Sequence, residues 1–354
     1  MTSKKMQDRI GIIAYSNSSG LGQVVKNFRK NLGIDSQFVI PHDLKGTDTE
    51  SIECDHFVAS NPPTEEEFKD YLNTYKPTTV IVLETPFNWE FLPIMQGEHI
   101  KVVYIPLMDC VPFNEIKYKE CVDRWIVFNQ QAFIEAQYHR LGSKAVQLNY
   151  PIDTDYFTFQ KRSNHLFLHN AGYYVLVEDN WDAHKGTDHV INAFIKTKES
   201  LLLNTITPTD LIPKDIPNII VQTEEKKESR DLYRTGSIYV APSRWEGLGL
   251  PLLESMSCGM VLLTTNGPPM YEAIRERSAE FLINAKGIPI PHGLKTAYQV
   301  DMNDFIYKIM KLANLPQSEI EEISHRNREY IENYYSWHTL KERYYESLTW
   351  PSNG

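Results

Sequence analysis

The sequence predicts an α/β protein built from two doubly wound parallel sheets. Three observations predict it. Short branched apolar runs, sized for buried strands, alternate with amphipathic helical stretches, the pattern of parallel sheets with helices on both faces. At 354 residues the chain is long enough for two domains, each with its own core. Strand, glycine turn and helix follow one another at residues 9–32 and again at 238–259. In such sheets ligands bind at the carboxyl ends of strands and on helix N-termini.

Composition bounds the function. Hydrophobic content of 42% and charged content of 23% are those of a soluble globular protein. A net charge of -10 argues against a nucleic-acid surface as the dominant feature, and mildly against a basic face for anionic lipid. No apolar run approaches the roughly 20 residues that span a bilayer. Residues 1–9 are polar and lead straight into a strand, so no signal peptide is expected. Cys54, Cys110, Cys121 and Cys258 lack zinc-type spacing and read as reduced thiols, which makes a cytoplasmic protein the expectation.

Residues 9–15 (Arg-Ile-Gly-Ile-Ile-Ala-Tyr) form the first strand by length and branching. A turn with Gly20 and Gly22 follows, and residues 23–32 form a helix with Val24, Phe28 and Leu32 on one face. The turn suits phosphate binding or simply a tight connection; it lacks the third glycine of a dinucleotide fingerprint and a Walker lysine. Further strands are expected at 37–40, 79–83, 101–105 and 124–128, with helices at 65–75 and 130–141. Glu84-Thr-Pro and Pro106-Leu-Met-Asp109 each follow a strand end. Asp109 reads as a substrate-side carboxylate or as a loop cap.

Residues 149–157 (Asn-Tyr-Pro-Ile-Asp-Thr-Asp-Tyr-Phe) join the halves, with Asp153 and Asp155 read as turn caps. A strand at 165–168 opens the second half. Lys185-Gly186 then starts a helix whose buried face holds Val190, Ile191 and Phe194. A lysine there can meet phosphates with its charge and the helix dipole together. Strands follow at 219–222 and 238–241. Gly247 and Gly249 make a turn that lets a ligand approach the backbone. Pro251 suits the first turn of a helix, Gly259 its stop, and 261–264 the next strand. Residues 284–300, with Gly287, Pro289, Pro291 and Gly293, read as a long loop. Helices at 302–313 and 318–335 precede a last helix with Leu340, Tyr344 and Leu348 on its apolar seam.

The stretch from Ser243 to Glu272 carries a resemblance. Ser-Arg-Trp-Glu246-Gly-Leu-Gly-Leu-Pro-Leu-Leu-Glu254-Ser-Met-Ser-Cys-Gly, followed by Gly267-Pro-Pro-Met-Tyr-Glu272, resembles the nucleotide-sugar motif of retaining GT-B glycosyltransferases of family 4. That group includes sucrose synthase and many lipopolysaccharide and mannosyl transferases. Glu-x7-Glu alone is a weak signal; with both glycines and the proline inside it and the acidic follow-on, it is strong. The resemblance is dense over 185–272 and thin before it.

The resemblance implies two Rossmann-like domains facing across a cleft: an acceptor domain, 1–155 with the C-terminal helix 337–354, and a donor domain, 156–336. It implies transfer of a sugar from a nucleotide diphosphate sugar to an acceptor hydroxyl with retention, without a metal or other cofactor. Glu246 would contact sugar hydroxyls and Glu254 the ribose. Gly247, Leu248, Gly249 and Leu250 with Lys185 would hold the diphosphate, Gly20 and Gly22 would face it, and Thr223 would meet the base. Many relatives have a histidine where Asp109 stands, and an arginine upstream of the lysine; here Asn180, Trp181 and His184 occupy that region, and His184 helps when protonated. The donor is the expected partner, and the acceptor is left unidentified. The alternatives are a non-catalytic nucleotide-sugar-binding relative, an epimerase of the same fold, and a transferase acting on a polymer such as hydroxylated DNA bases, which the acidic balance disfavours.

Overall fold

The computed structural model describes residues 8–17, 20–41, 47, 55–107, 115–172, 184–206, 216–224, 226–274, 278–289 and 296–349. The chain divides into two compact units, 1–150 with 340–354, and 151–339. Each carries a parallel sheet, so the chain is α/β with two Rossmann-like units.

The first unit runs β1 (Ile10–Tyr15), α1 (Gly20–Leu32), β2 (Ser36–Ile40), β3 (Asp55–Phe57), α2 (Glu65–Tyr75), β4 (Thr79–Leu83), α3 (Phe91–Gly97), β5 (Lys101–Ile105), β6 (Arg124–Val127), α4 (Gln130–Tyr138) and β7 (Ala145–Gln147). Its seven strands lie in the order β3-β2-β1-β4-β5-β6-β7. Every residue of β2 and β4 is buried, which is why these strands read as continuous apolar runs rather than alternating ones. An aromatic core of Phe38, Phe68, Tyr71 and Phe91 fills one face, with Phe68 and Phe91 stacked at 4.0 Å. Strand order reverses between β1 and β4, and their carboxyl ends flank the switch point.

The second unit holds β8 (Phe167–Gly172), α5 (Thr187–Thr197), β9 (Leu201–Thr205), β10 (Ile219–Gln222), β11 (Ile238–Ala241), α6 (Leu250–Ser257), β12 (Val261–Thr265), β13 (Leu282–Ile283), β14 (Ala285–Pro289), β15 (Thr296–Val300), α7 (Met302–Ala313) and α8 (Gln317–Tyr335). Six strands lie in the order β10-β9-β8-β11-β12-β13, with the switch point between β8 and β11. The final helix, α9 (Trp337–Leu348), supplies Leu340, Tyr344 and Leu348 to the interior of the first unit. There Tyr344 donates its hydroxyl to Asn149 O at 3.0 Å, and its ring lies 5.6 Å from Phe28.

Several expectations are corrected. The helix expected from Gln23 begins at Gly20, so Gly20 and Gly22 belong to its first turn rather than to a loop. A Cβ on Gly22 would sit 2.1 Å from Asn17 O, so glycine here lets the helix press on the end of β1. The helix expected to reach Leu141 stops at Tyr138, because Arg140 turns left-handed at φ +61°. The loop expected over 284–300 contains an antiparallel hairpin, β14 with β15. Residues 201–205, not singled out in the sequence, form the fully buried β9.

One buried cation braces the second unit. Arg162, 3% exposed, donates to the carbonyls of Tyr233, Gly236 and Cys258, with no carboxylate among those partners. Burial lowers its pKa to about 10, which leaves it charged at neutral pH. It thereby caps the end of α6 and fixes the turn that carries Tyr233.

Candidate functional site

The site grows from the end of β11. All four strand residues are buried, and the chain leaves the sheet through Pro242 and the buried Ser243. Gly249, at φ +64°, turns it into α6, whose first turn holds Pro251. Opposite, Gly186 takes φ +67° at the start of α5, and a Cβ there would lie 2.2 Å from Pro242 O. This close approach seats Lys185 beside Glu246. Lys185 Nζ donates to Glu246 Oε1 at 2.7 Å and to Oε2 at 2.9 Å. Ser243 Oγ donates to Oε1 at 2.7 Å.

The two glutamates are tuned apart. Burial would raise the Glu246 carboxyl, but the charges of Lys185 and His184 and the hydrogen bonds from Lys185 and Ser243 outweigh it and hold it below the ordinary value. Glu254, one turn into α6, is raised to about 7 by burial. The Tyr233 hydroxyl, which donates to its Oε2 at 2.6 Å, and the charge of Lys185 offset only part of that rise. At neutral pH one carboxylate is therefore fixed and the other is near its midpoint.

Behind this pair stands a fork. Arg244 donates to both oxygens of Asp188, at 2.9 and 2.6 Å, and Asp188 lies in the first turn of α5, where a carboxylate complements the dipole. The Arg244 backbone N–H donates to His184 O at 2.6 Å, and its carbonyl accepts from Tyr298 N at 2.8 Å. The ring of Tyr298 lies on Gly267, where a Cβ would meet it at 2.5 Å. One arginine thus ties the loop before Glu246, the loop after β8 and the hairpin together. Beneath them, His169 is wholly buried between Val240 O at 2.7 Å and Thr187 Oγ1 at 2.8 Å. The carbonyl can only accept, so Nδ1 carries the proton and Nε2 accepts from Thr187. Burial lowers this imidazole to about 4, so it is a neutral strut.

The structure brings Lys185, Glu246 and His184 together, with the His184 ring 5.6 Å from Trp245. Gly247, Leu248, Gly249 and Leu250 form the turn into α6, where Pro251 has no N–H to donate and Leu252 N–H donates to Gly249 O at 2.9 Å. Thr223 is exposed after β10, three strand steps of about 4.8 Å each from β11, so it stands apart from this cluster. Gly20 and Gly22 lie in the first unit. Asp109, Asn180 and Trp181 lie outside the described residues. Asp153 accepts from the backbone N–H groups of Asp155 and Tyr156 at 3.2 and 3.1 Å, the bonds of a turn cap. Among the described residues no group of three or more His, Cys, Asp or Glu is arranged to hold a metal ion, and no helix is long and apolar enough to cross a membrane.

Tyr233, Asp188 and Tyr298 went unselected in the sequence. Tyr233 lies 21 positions from Glu254, and Asp188 lies 56 from Arg244. Only the fold shows these pairs. Asp188, an acid in a helix's first turn, carried the one usable signal.

Comparison with known proteins finds similarity over the stretch that holds part of this site. A family model described as glycosyl transferases group 1 matches residues 217–288, the stretch that contains Glu246 and Glu254. A putative glycosyltransferase, ORF330, of Acidianus filamentous virus 2 (isolate Italy/Pozzuoli) is 33% identical over 111 residues, which is 30% of this chain and 30% of that protein's own length. A glycosyltransferase from Rickettsia africae ESF-5 superposes with a TM-score of 0.70 at 15% identity, covering 98% of this chain and 100% of that one. Sucrose-phosphate synthase from Thermosynechococcus elongatus gives 0.69 at 15% identity, over 96% and 98%. Residues 217–288 thus match the glycosyl transferases group 1, and the chain as a whole has the fold of the GT-B glycosyltransferases.

Proposed function

We propose that the protein transfers a sugar from a nucleotide diphosphate sugar to an acceptor hydroxyl, with retention of anomeric configuration. The observation that carries this reading is the Lys185–Glu246–Ser243 cluster at the carboxyl end of β11, with Glu254 one turn into the next helix. Glu254 accepts the ribose hydroxyls, and Glu246 accepts from hydroxyls of the sugar. Lys185 and the backbone amides near Gly247 to Leu250 stabilise the diphosphate as its charge grows in the transition state. The departing phosphate oxygen takes the proton of the acceptor hydroxyl, so no carboxylate nucleophile is required. Residues 156–336 serve the donor, and residues 1–155 with 337–354 the acceptor.

The ion pair adds a step to this reading. In the structure both oxygens of Glu246 hold Lys185. A diphosphate that takes over the ammonium frees those oxygens for sugar hydroxyls, so one exchange prepares both groups. Lys185 supplies the cation here, and the reaction is expected to run without a divalent metal. Transfer should therefore survive chelator. Loss of activity with chelator and its return with manganese would reassign Asp153-Thr-Asp155 as a metal site.

The direct test is thermal stabilisation by a panel of uridine, guanosine, adenosine and thymidine diphosphate sugars. A ligand at a hundred times its dissociation constant adds about 2.7 kcal/mol. One member should raise the melting temperature and then serve as donor. A flat panel overturns the reading.

A further inference from the structure

We propose that the first unit holds a binding site for a free apolar α-amino acid, in a cavity at the amino ends of β4 and β5. The cavity lies at the opposite end of the sheet from the carboxyl ends of its strands, and the site stands apart from the transferase reading above.

The cavity follows from how two helices stop. α2 ends at Tyr75, where Lys76 takes φ +47° and its N–H donates to Leu72 O at 2.9 Å. Pro77 lacks the N–H that would extend the helix, and β4 begins two residues later. α3 ends at Gly97. The Glu98 N–H donates to Ile94 O at 3.1 Å, and the Ile100 N–H to Met95 O at 2.9 Å, just before β5. Between these ends lies a cavity of about 400 Å³, the size of a small-molecule site. Leu72, Pro77 and Ile100 give it apolar walls, and the first two are buried. Lys69, Asn73, Lys76 and Glu98 line it as well, and all four are exposed. The residues from α2 fall at i, i+3, i+4 and i+7, so they share one stripe.

The polar groups differ in what they already hold. Lys69 Nζ donates to Glu65 at 3.1 Å. The Lys76 ammonium, the Asn73 amide and the Glu98 carboxylate have no hydrogen-bond or ion-pair partner among the described residues. A cation and an anion thus line one cavity without closing on each other, and a ligand can take both without breaking a contact.

These groups select the ligand. A pure anion such as phosphate is disfavoured: the C-terminal end of α2 presents carbonyls and the negative end of its dipole, and Glu98 adds a charge of the same sign. A pure cation leaves Lys76 unmatched. A compact zwitterion satisfies both. Its carboxylate accepts from Lys76 and Asn73, its ammonium donates to Glu98, and an apolar side chain covers Leu72, Pro77 and Ile100. Those three parts on one small molecule describe an apolar α-amino acid.

The test uses the full chain and ligand-observed NMR with leucine, isoleucine, methionine and phenylalanine. Each is compared with its primary amide, which lacks the carboxylate, and its N-acetyl derivative, which lacks the ammonium. At least one amino acid should bind the wild type, and both of its derivatives should bind tenfold or more weaker. Glu98→Gln should weaken the amino acid tenfold or more and leave the N-acetyl derivative within twofold. Lys76→Gln should weaken the amino acid likewise and leave the amide within twofold. That crossed pattern separates charge recognition from a loss of shape. Both side chains are exposed and unpaired, so the melting temperature should not move. Asn73→Trp, which fills the cavity from an exposed helix position, should abolish binding. No amino acid bound by the wild type, binding that survives Asn73→Trp, or a derivative that binds as well as its parent overturns the site. Tighter binding of inorganic phosphate overturns it too. Nucleotide diphosphate affinity should stay within twofold in all three variants; a coupled loss would place the effect on the fold and overturn the separate site.

Discussion

Glu254 carries a charge that changes close to neutral pH. Its carboxyl is raised to about 7 by burial, from an ordinary value of 4.5. The folded state therefore binds a proton more tightly than the unfolded chain, and stability contributed by that proton is present below about 4.5 and lost as pH rises to about 7. The loss is about 3 kcal/mol, and Glu254→Gln should flatten it in urea titrations at pH 5 and pH 8. Nucleotide binding should show the opposite slope. Ribose hydroxyls donate to the carboxylate form, so affinity should rise with pH through 7, and the slope should vanish in Glu254→Gln. That variant should also bind nucleotide diphosphate about 1.5–3 kcal/mol more weakly at pH 8, measured by calorimetry; unchanged affinity in the folded variant would remove Glu254 from the site. Lys185→Ala should lower turnover on the order of 100-fold, the cost of losing one donor to developing charge, and should lower donor affinity less. Equal single-turnover rates would make Lys185 a structural partner of Glu246 only. Lys185, Glu246 and Glu254 were singled out in the sequence by the resemblance that the stretch around them carries, and the structure pairs Lys185 with Glu246. Ser243 stood inside the same motif but was not chosen, since a serine before a turn has many ordinary uses.

At the scale of elements, the Arg244–Asp188 fork decides how firmly the turn before Glu246 is registered against α5. Lysine cannot reproduce two parallel bonds to one carboxylate. Arg244→Lys should therefore reduce kcat about tenfold with a smaller change in KM, because it moves positioned groups rather than removing a contact. A double-mutant cycle with Asp188→Asn should give a coupling energy of about 0.5–3 kcal/mol in stability, and an additive cycle would mean that the fork does not hold the loop. Strands at residues 79–83, 101–105, 219–222 and 238–241 were legible from length and branching alone. The β14–β15 hairpin was not. Gly287 and Pro289 interrupt it, and its stability comes from Tyr298, whose amide bonds to Arg244 O and whose ring covers Gly267. Those contacts are set by tertiary packing, which local composition does not encode. The short edge strands β3 and β7 fell below the length at which a pattern declares itself.

At the scale of the molecule, each unit has its own sheet, and the candidate donor groups other than Gly20 and Gly22 lie in the second. Hydrogen exchange with the donor identified by the panel should therefore show its strongest new protection at residues 184–190 and 243–254. Protection centred on residues 9–32 instead would move the phosphate site to the first unit. The closing helix has a further consequence. Residues 340–349 pack with the first unit, where Leu340, Tyr344 and Leu348 are buried and Tyr344 bonds to Asn149. A ribosome delivers residues 1–150 early, yet the piece that completes their core emerges about 190 residues later, some ten to forty seconds at ordinary rates of synthesis. During that interval the second unit can fold whole while the first waits with an open groove over Phe28. The half that is made first is finished last.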